Sequence, residues 1–135
     1  MVHVLDPHAE ITWLEKYKAI HIKWKHLQMP TARFYEICAK AASMVVEHKA
    51  TIWLADQYNS TGAFSDDVQK VIADNLYAMA PQLGLKSVLT ILPKEKGTSY
   101  SSTEEWTQKA YNCHGISAKN FATLEHCLAW IKEQE

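Results

Sequence analysis

Asn59-Ser60-Thr61-Gly62 sets two hydroxyls, a carboxamide and a glycine between an apolar stretch ending at Asp56 and a segment opening Ser65-Asp66-Asp67. Such a run can do three things: carry a regulated serine phosphoacceptor, cradle an anion on backbone N–H groups, or bend a strand into a helix. The cradle has the least support, because the chain contains no Gly-x-Gly or Gly-Lys-Thr element. A phosphate on Ser60 would add close to two negative charges. Asp56, Asp66 and Asp67 lie close by in sequence, and the last two already occupy the helix end that would otherwise attract an anion. Repulsion could still act as a switch, by releasing a partner. The bend is the favoured reading.

The same carboxylates bear on hard-cation chemistry, which takes oxygen ligands. Asp56 with Asp66 and Asp67 ten residues on has no recognised spacing, and helix capping explains the aspartate pair. Seven histidines raise zinc, yet no C-x₂₋₄-C pair accompanies them to complete a structural site. His21 and His26 are five apart on a strand pattern and face opposite sides. Cys113 could pair with a distant histidine, but no nucleophile motif surrounds it. The expectation is no metal, no cofactor and no catalytic residue. Five tryptophans are many for 135 residues. Tyr100, Trp106 and Tyr111 are the aromatic set to suspect of lining a pocket or interface, with helix-on-sheet packing as the plainer reading.

The elements that would hold these residues follow from hydrophobic periodicity. Residues 10–14 and 18–24 read as two strands around a turn at Glu15-Lys16-Tyr17, with Ile20, Ile22 and Trp24 on one face of the second. Thr31 caps a helix reaching His48, with Phe34, Ile37, Cys38, Ala41, Met44, Val45 and His48 inward. Residues 51–55 form a central strand, and Ser65 opens a helix that Pro81 and Gly84 end. A strand over 87–92 stops at Pro93. Ser102-Thr103-Glu104-Glu105 is a capping box for a helix to about Cys113. A weak strand over 118–121 and a final helix capped by Thr123 complete the chain. This order predicts an α/β fold: a mixed sheet of about five strands, an N-terminal antiparallel hairpin then parallel βαβ crossovers, and four helices.

Length fits one domain over 1–135, and 47% hydrophobic with 21% charged residues is ordinary globular composition. A formal net charge of −1 gives no electrostatic case for nucleic acid or an anionic membrane. Lys18, Lys23 and Lys25 are the nearest thing to a basic patch and read as solvated strand positions. Three cysteines without a CxxC pair suit a reducing compartment. MVHVLDPHAE lacks the charged and apolar regions of a signal peptide, and no apolar run approaches a membrane span. The expectation is a soluble, cytoplasmic protein of bacterial style.

With a hairpin, a long first helix, a strand ending in Asp and then a polar loop, this order resembles the STAS fold of bacterial anti-sigma-factor antagonists. That fold is a relative of the CRAL-TRIO lipid-binding fold. The stretches "WLADQYN", "GLKSVLTILP" and "NFATLEHCLAWIKE" look like those of small stand-alone STAS-like proteins of bacteria. In the antagonists this loop carries Asp-Ser-x-Gly, whose serine a kinase phosphorylates to switch off binding. Ser60 matches that serine; Asn59 stands where the family has Asp, and the helix starts about three residues after Gly62. The resemblance implies a non-enzymatic regulatory or protein-binding module. Its working surface is loop 57–65, with Asp56, Asn59, Ser60, Thr61 and Gly62, plus helix 66–80, and its partner is another protein or a second copy. The alternative is a carrier of a small apolar ligand, held between the sheet and helices 66–80 and 102–114. A carrier needs an apolar cavity of a few hundred Å³; a binding module needs a filled core and an exposed patch.

Overall fold

The computed structural model of the chain describes residues 3–94 and 117–134. Strands β1 (His3–Leu5), β2 (Ala9–Leu14), β3 (Ala19–Trp24), β4 (Ile52–Asp56), β5 (Ser87–Ile91) and β6 (Ser117–Phe121) form one sheet, side by side in chain order. The first two pairings are antiparallel; β3–β4, β4–β5 and β5–β6 are parallel. The fold is α/β with a mixed sheet, as the hydrophobic pattern predicts. β1 is a sixth strand beyond the expected five, and three residues are too short for a period-2 pattern to register.

Helix α1 (Thr31–His48) crosses from β3 to β4. α2 (Asp66–Val71) continues through a π-helical turn (Ile72–Leu76) into α3 (Tyr77–Met79), then a 3₁₀ turn (Pro81–Leu83) closed by Gly84 in the left-handed region, φ +87°. α4 (Leu124–Glu133) follows β6. Among the described residues there are therefore three helical bodies rather than four. The expected helix 102–113, with Trp106, Tyr111 and Cys113, and the preceding Tyr100, lies outside the described residues. No helix among the described residues is long and apolar enough to cross a membrane.

Strand order equal to chain order, with right-handed crossovers, puts successive helices on the same face. The core follows that rule. Phe34, Ile37, Ala41 and Val45 of α1 and Val68 of α2 pack on Ile20, Ile22, Trp24, Trp53 and Val88. The alternate strand positions Ala19, Ile52, Leu54, Leu89 and Ile91 meet Cys127 and Ile131 of α4 on the other side. The sheet is thus covered on both faces. Each fully buried large side chain contributes on the order of 1.5–3 kcal/mol, and Phe34, Ile37, Leu54, Leu89 and Ile91 are all at 1% exposure or less.

Caps explain the helix starts. Ser65 accepts the Val68 N–H at 3.2 Å, and Thr123 the His126 N–H at 3.2 Å, as expected from sequence. α1 departs from expectation: Thr31 is its first helical residue, and Pro30 holds the cap position, φ −61° and ψ 147°, with no side-chain cap. Proline's fixed φ sets the entry angle instead. Asp6, buried in the β1–β2 turn, accepts the Arg33 guanidinium, and Lys40 stands at 3.9 Å. That ion cluster ties the turn to α1.

Candidate functional site

At the carboxyl end of β4 the chain leaves the sheet through loop 57–65, and the reasons for its shape are local. Asp56 folds back so that Oδ1 accepts the Tyr58 N–H at 3.0 Å, while Oδ2 accepts from His21 Nε2 at 2.9 Å. Gln57 is buried, and its N–H continues the β5 ladder by donating to Ile91 O. Ser60 then turns the chain: its N–H and its hydroxyl both donate to Gln57 O, at 3.0 and 2.8 Å. Thr61 rejoins the sheet. Its N–H donates to Lys25 O at 2.9 Å, it accepts from Leu27 N–H at 3.0 Å, and its hydroxyl is hydrogen-bonded to His26 Nδ1 at 2.8 Å. Gly62 takes φ +74°, a conformation glycine adopts without strain. Phe64 plugs the loop into the core, against Trp24 and Phe34 with ring centroids 5.4 Å apart in both pairs.

Of the residues singled out from sequence, Asp56 is buried, Ser60 half-buried, and Asn59, Thr61 and Gly62 exposed, with Tyr58 exposed beside them. The structure therefore brings these residues into one braced loop. Ser60 is engaged by Gln57 rather than presented freely. Asp66 and Asp67 are exposed in the first turn of α2, as expected. Tyr100, Trp106 and Tyr111 fall outside the described residues, so no pocket is assigned to them.

Sequence spacing did not indicate the His21–Asp56 pair. The parallel register sets Lys23 opposite Asp56, which leaves His21 two positions back on the same face; only the pairing of β3 with β4 supplies that information. Cys127 of α4 lies on this face as well. Burial first, and the Asp56 carboxylate second, push its thiol up to about 12. A thiol raised in this way is little ionised at neutral pH, and Cys127 shares the α4 side of the sheet with the His21–Asp56 pair. Among the described residues no three His, Cys, Asp or Glu side chains stand together as a metal site.

Two cavities bear on ligand binding. An apolar slot of about 130 Å³ opens between α1 and the α2–α3 segment, lined by Phe34, Cys38, Trp53, Val71, Met79 and Leu83. The expected ligand space lay between helices 66–80 and 102–114; this slot is on the α1 side. A second cavity, of about 530 Å³ and of mixed polar and apolar lining, lies at the opposite end of the sheet from the loop, at the amino ends of β4, β5 and β6. Compared with known proteins, the chain matches no family model, no curated protein and no solved structure.

Proposed function

We propose that the chain is a non-enzymatic STAS-like module that binds a protein partner through loop 57–65 and the helical segment that follows it. The observation that carries this reading is the loop's combination of bracing and exposure. Backbone hydrogen bonds to β3, a buried Phe64 and a capped α2 hold it in one shape, yet Tyr58, Asn59, Thr61 and Gly62 face solvent. A preordered surface loses little conformational entropy on binding. Its place beyond the carboxyl ends of parallel strands is where α/β sheets commonly present their sites. The hairpin-then-crossover element order is the basis for the STAS-like assignment.

Phosphorylation of Ser60 would be the regulatory form of this reading. It would remove the hydroxyl bond to Gln57 O and add up to two negative charges to the loop. The apolar-carrier reading has less behind it, since the slot of about 130 Å³ is smaller than the 300–1,000 Å³ of ordinary small-molecule sites.

The test is site-specific photo-crosslinking in the native cytoplasm, with the photoreactive residue at Asn59 and, as a control, at Glu133 at the far end of the fold. A defined adduct at Asn59 alone identifies the partner or a second copy. Titration of that partner with purified protein should then weaken at least tenfold on Tyr58→Ala. Equal labelling at both positions, or affinity unmoved by Tyr58→Ala, defeats the proposal.

A further inference from the structure

We propose that the cavity at the amino ends of β4, β5 and β6 binds a planar organic anion, an aromatic ring carrying a phosphate or carboxylate. This does not rest on the reading of the loop, which lies at the other end of the sheet. Three segments deliver lysines to the cavity wall: the 3₁₀ turn Glu15–Tyr17 with its cap brings Lys16 and Lys18, and the approach to β5 brings Lys86. Among the described residues no carboxylate lies within 4 Å of these ammonium groups, as holds for every described lysine but Lys40; what sets these three apart is that they share one cavity wall. Ammonium groups act on phosphate or carboxylate as point charges with several donors.

The rest of the wall suits a ring. Half-buried Tyr17 and Trp130 face the cavity over Ile52 and Ile131, and the hydroxyls of Thr51 and Ser87 sit at the strand starts. Lys16 Nζ stands 5.7 Å from the Tyr17 ring centroid, so a planar ligand stacks on the ring face that the lysine leaves open. The volume of about 530 Å³ falls in the range of small-molecule sites. Charge of the opposite sign is present: Glu15 and Glu133 are exposed at this end, and the carboxyl terminus of α4 carries about half a negative charge. Lys16, Lys18 and Lys86, with Lys119 Nζ 5.3 Å from the Trp130 ring centroid, outweigh it.

The backbone fixes where Lys18 stands. Lys18 lies at φ 52°, in the left-handed region, where glycine would be unstrained. Its carbonyl accepts the Thr51 and Ile52 N–H groups at 2.9 and 3.3 Å, which fixes the turn beside the start of β4.

Isothermal titration with phenyl phosphate, benzoate, inorganic phosphate and benzyl alcohol tests this directly. Phenyl phosphate or benzoate should bind, the tighter one identifying the headgroup, with benzyl alcohol giving no heat. Affinity should fall with added salt. The surface double variant Lys18→Gln/Lys86→Gln should lose at least tenfold in affinity, with its melting temperature and circular dichroism unchanged. Absence of binding by both aromatic anions would overturn the proposal, as would affinity unaltered in the double variant. Inorganic phosphate binding as tightly as phenyl phosphate would overturn it too, since the ring would then contribute nothing.

Discussion

At the carboxyl ends of β3 and β4 the polar groups of the loop find partners within the protein. Asp56 has Tyr58 N–H and His21, Ser60 has Gln57 O, and Thr61 has Lys25, Leu27 and His26. At the amino ends of β4 and β5 the arrangement differs: Lys16, Lys18 and Lys86 are gathered around one cavity, with no carboxylate within ion-pair distance among the described residues. One end holds its loop in place through Asp56, Ser60 and Thr61 and offers a shaped surface. The other gathers an excess of lysines around a cavity and offers a place for a small anion. A loop held in place suits a macromolecular partner, which needs shape; lysines gathered around a cavity suit a ligand that supplies the opposite sign.

The sharpest way to break the contrast is to remove the plug that gives the carboxyl end its shape. Phe64→Ala empties the space between Trp24 and Phe34 and should cost about 3–5 kcal/mol in urea unfolding. Binding of phenyl phosphate to the folded fraction should be untouched. A cost under 1 kcal/mol would mean that the loop is not anchored through this ring.

Next in size is an acid effect at the same end. Burial would raise the Asp6 carboxyl, but the His8 N–H, the Arg33 guanidinium and the Lys40 ammonium outweigh it and hold the group below its ordinary value. A depressed folded value means the stabilisation is fully present above about pH 4 and is lost as pH falls through the folded value. Asp6→Asn should therefore lower the melting temperature at pH 7 and flatten the fall below pH 4. An unchanged acid limb would remove Asp6 from the account.

How much of this contrast was legible in the sequence depends on the range of the interactions. Strand alternation in Ile20, Ile22 and Trp24, the caps Ser65 and Thr123, and the inward face of α1 at Phe34, Ile37, Ala41, Met44 and Val45 are local signals, and each stands as the periodicity implies. The bend at Asn59-Ser60-Thr61-Gly62 was legible for the same reason. Its bracing was not, because the partners of Thr61 lie about 35 residues back and depend on the bridge between His26 and Thr61. The basic cavity was hidden differently. Lys18, Lys23 and Lys25 group together in sequence, but β3 carries Lys25 to the opposite end of the sheet, and Lys18 instead shares a wall with Lys86, 68 residues away. Proximity along a strand misleads about ends, since six residues at about 3.3 Å each span the sheet.

Smaller effects test the loop itself. A Cβ on Gly62 would meet Gln28 at 3.8 Å, an ordinary contact, so Gly62→Ala should cost only the left-handed backbone penalty, about 1 kcal/mol. Ser60→Asp should cost a similar amount, about 1 kcal/mol, for the lost hydroxyl bond to Gln57 O. Thermal melts of both variants check this. A loss of 3 kcal/mol or more for either would show that the loop has no room to adjust, and that phosphorylation of Ser60 would unfold it rather than switch a partner.

The finest test sets two lysines against each other. Lys18 and Lys49 both lie in the left-handed region, at φ 52° and 55°, each capping a helical turn. Glycine relieves that strain while giving back part of the gain as extra freedom in the unfolded chain, so each Lys→Gly change should stabilise by about 0.5–1 kcal/mol. Only Lys18 lines the cavity. Lys18→Gly should therefore raise the melting temperature while weakening phenyl phosphate about fivefold at low salt, and Lys49→Gly should raise it with affinity unchanged. Stability and binding moving in opposite directions at Lys18 alone would show that the chain keeps a side chain there for a ligand. If both variants behave alike in binding, the left-handed lysine is a feature of the turn, and the contrast between the two ends of the sheet loses its chemical half.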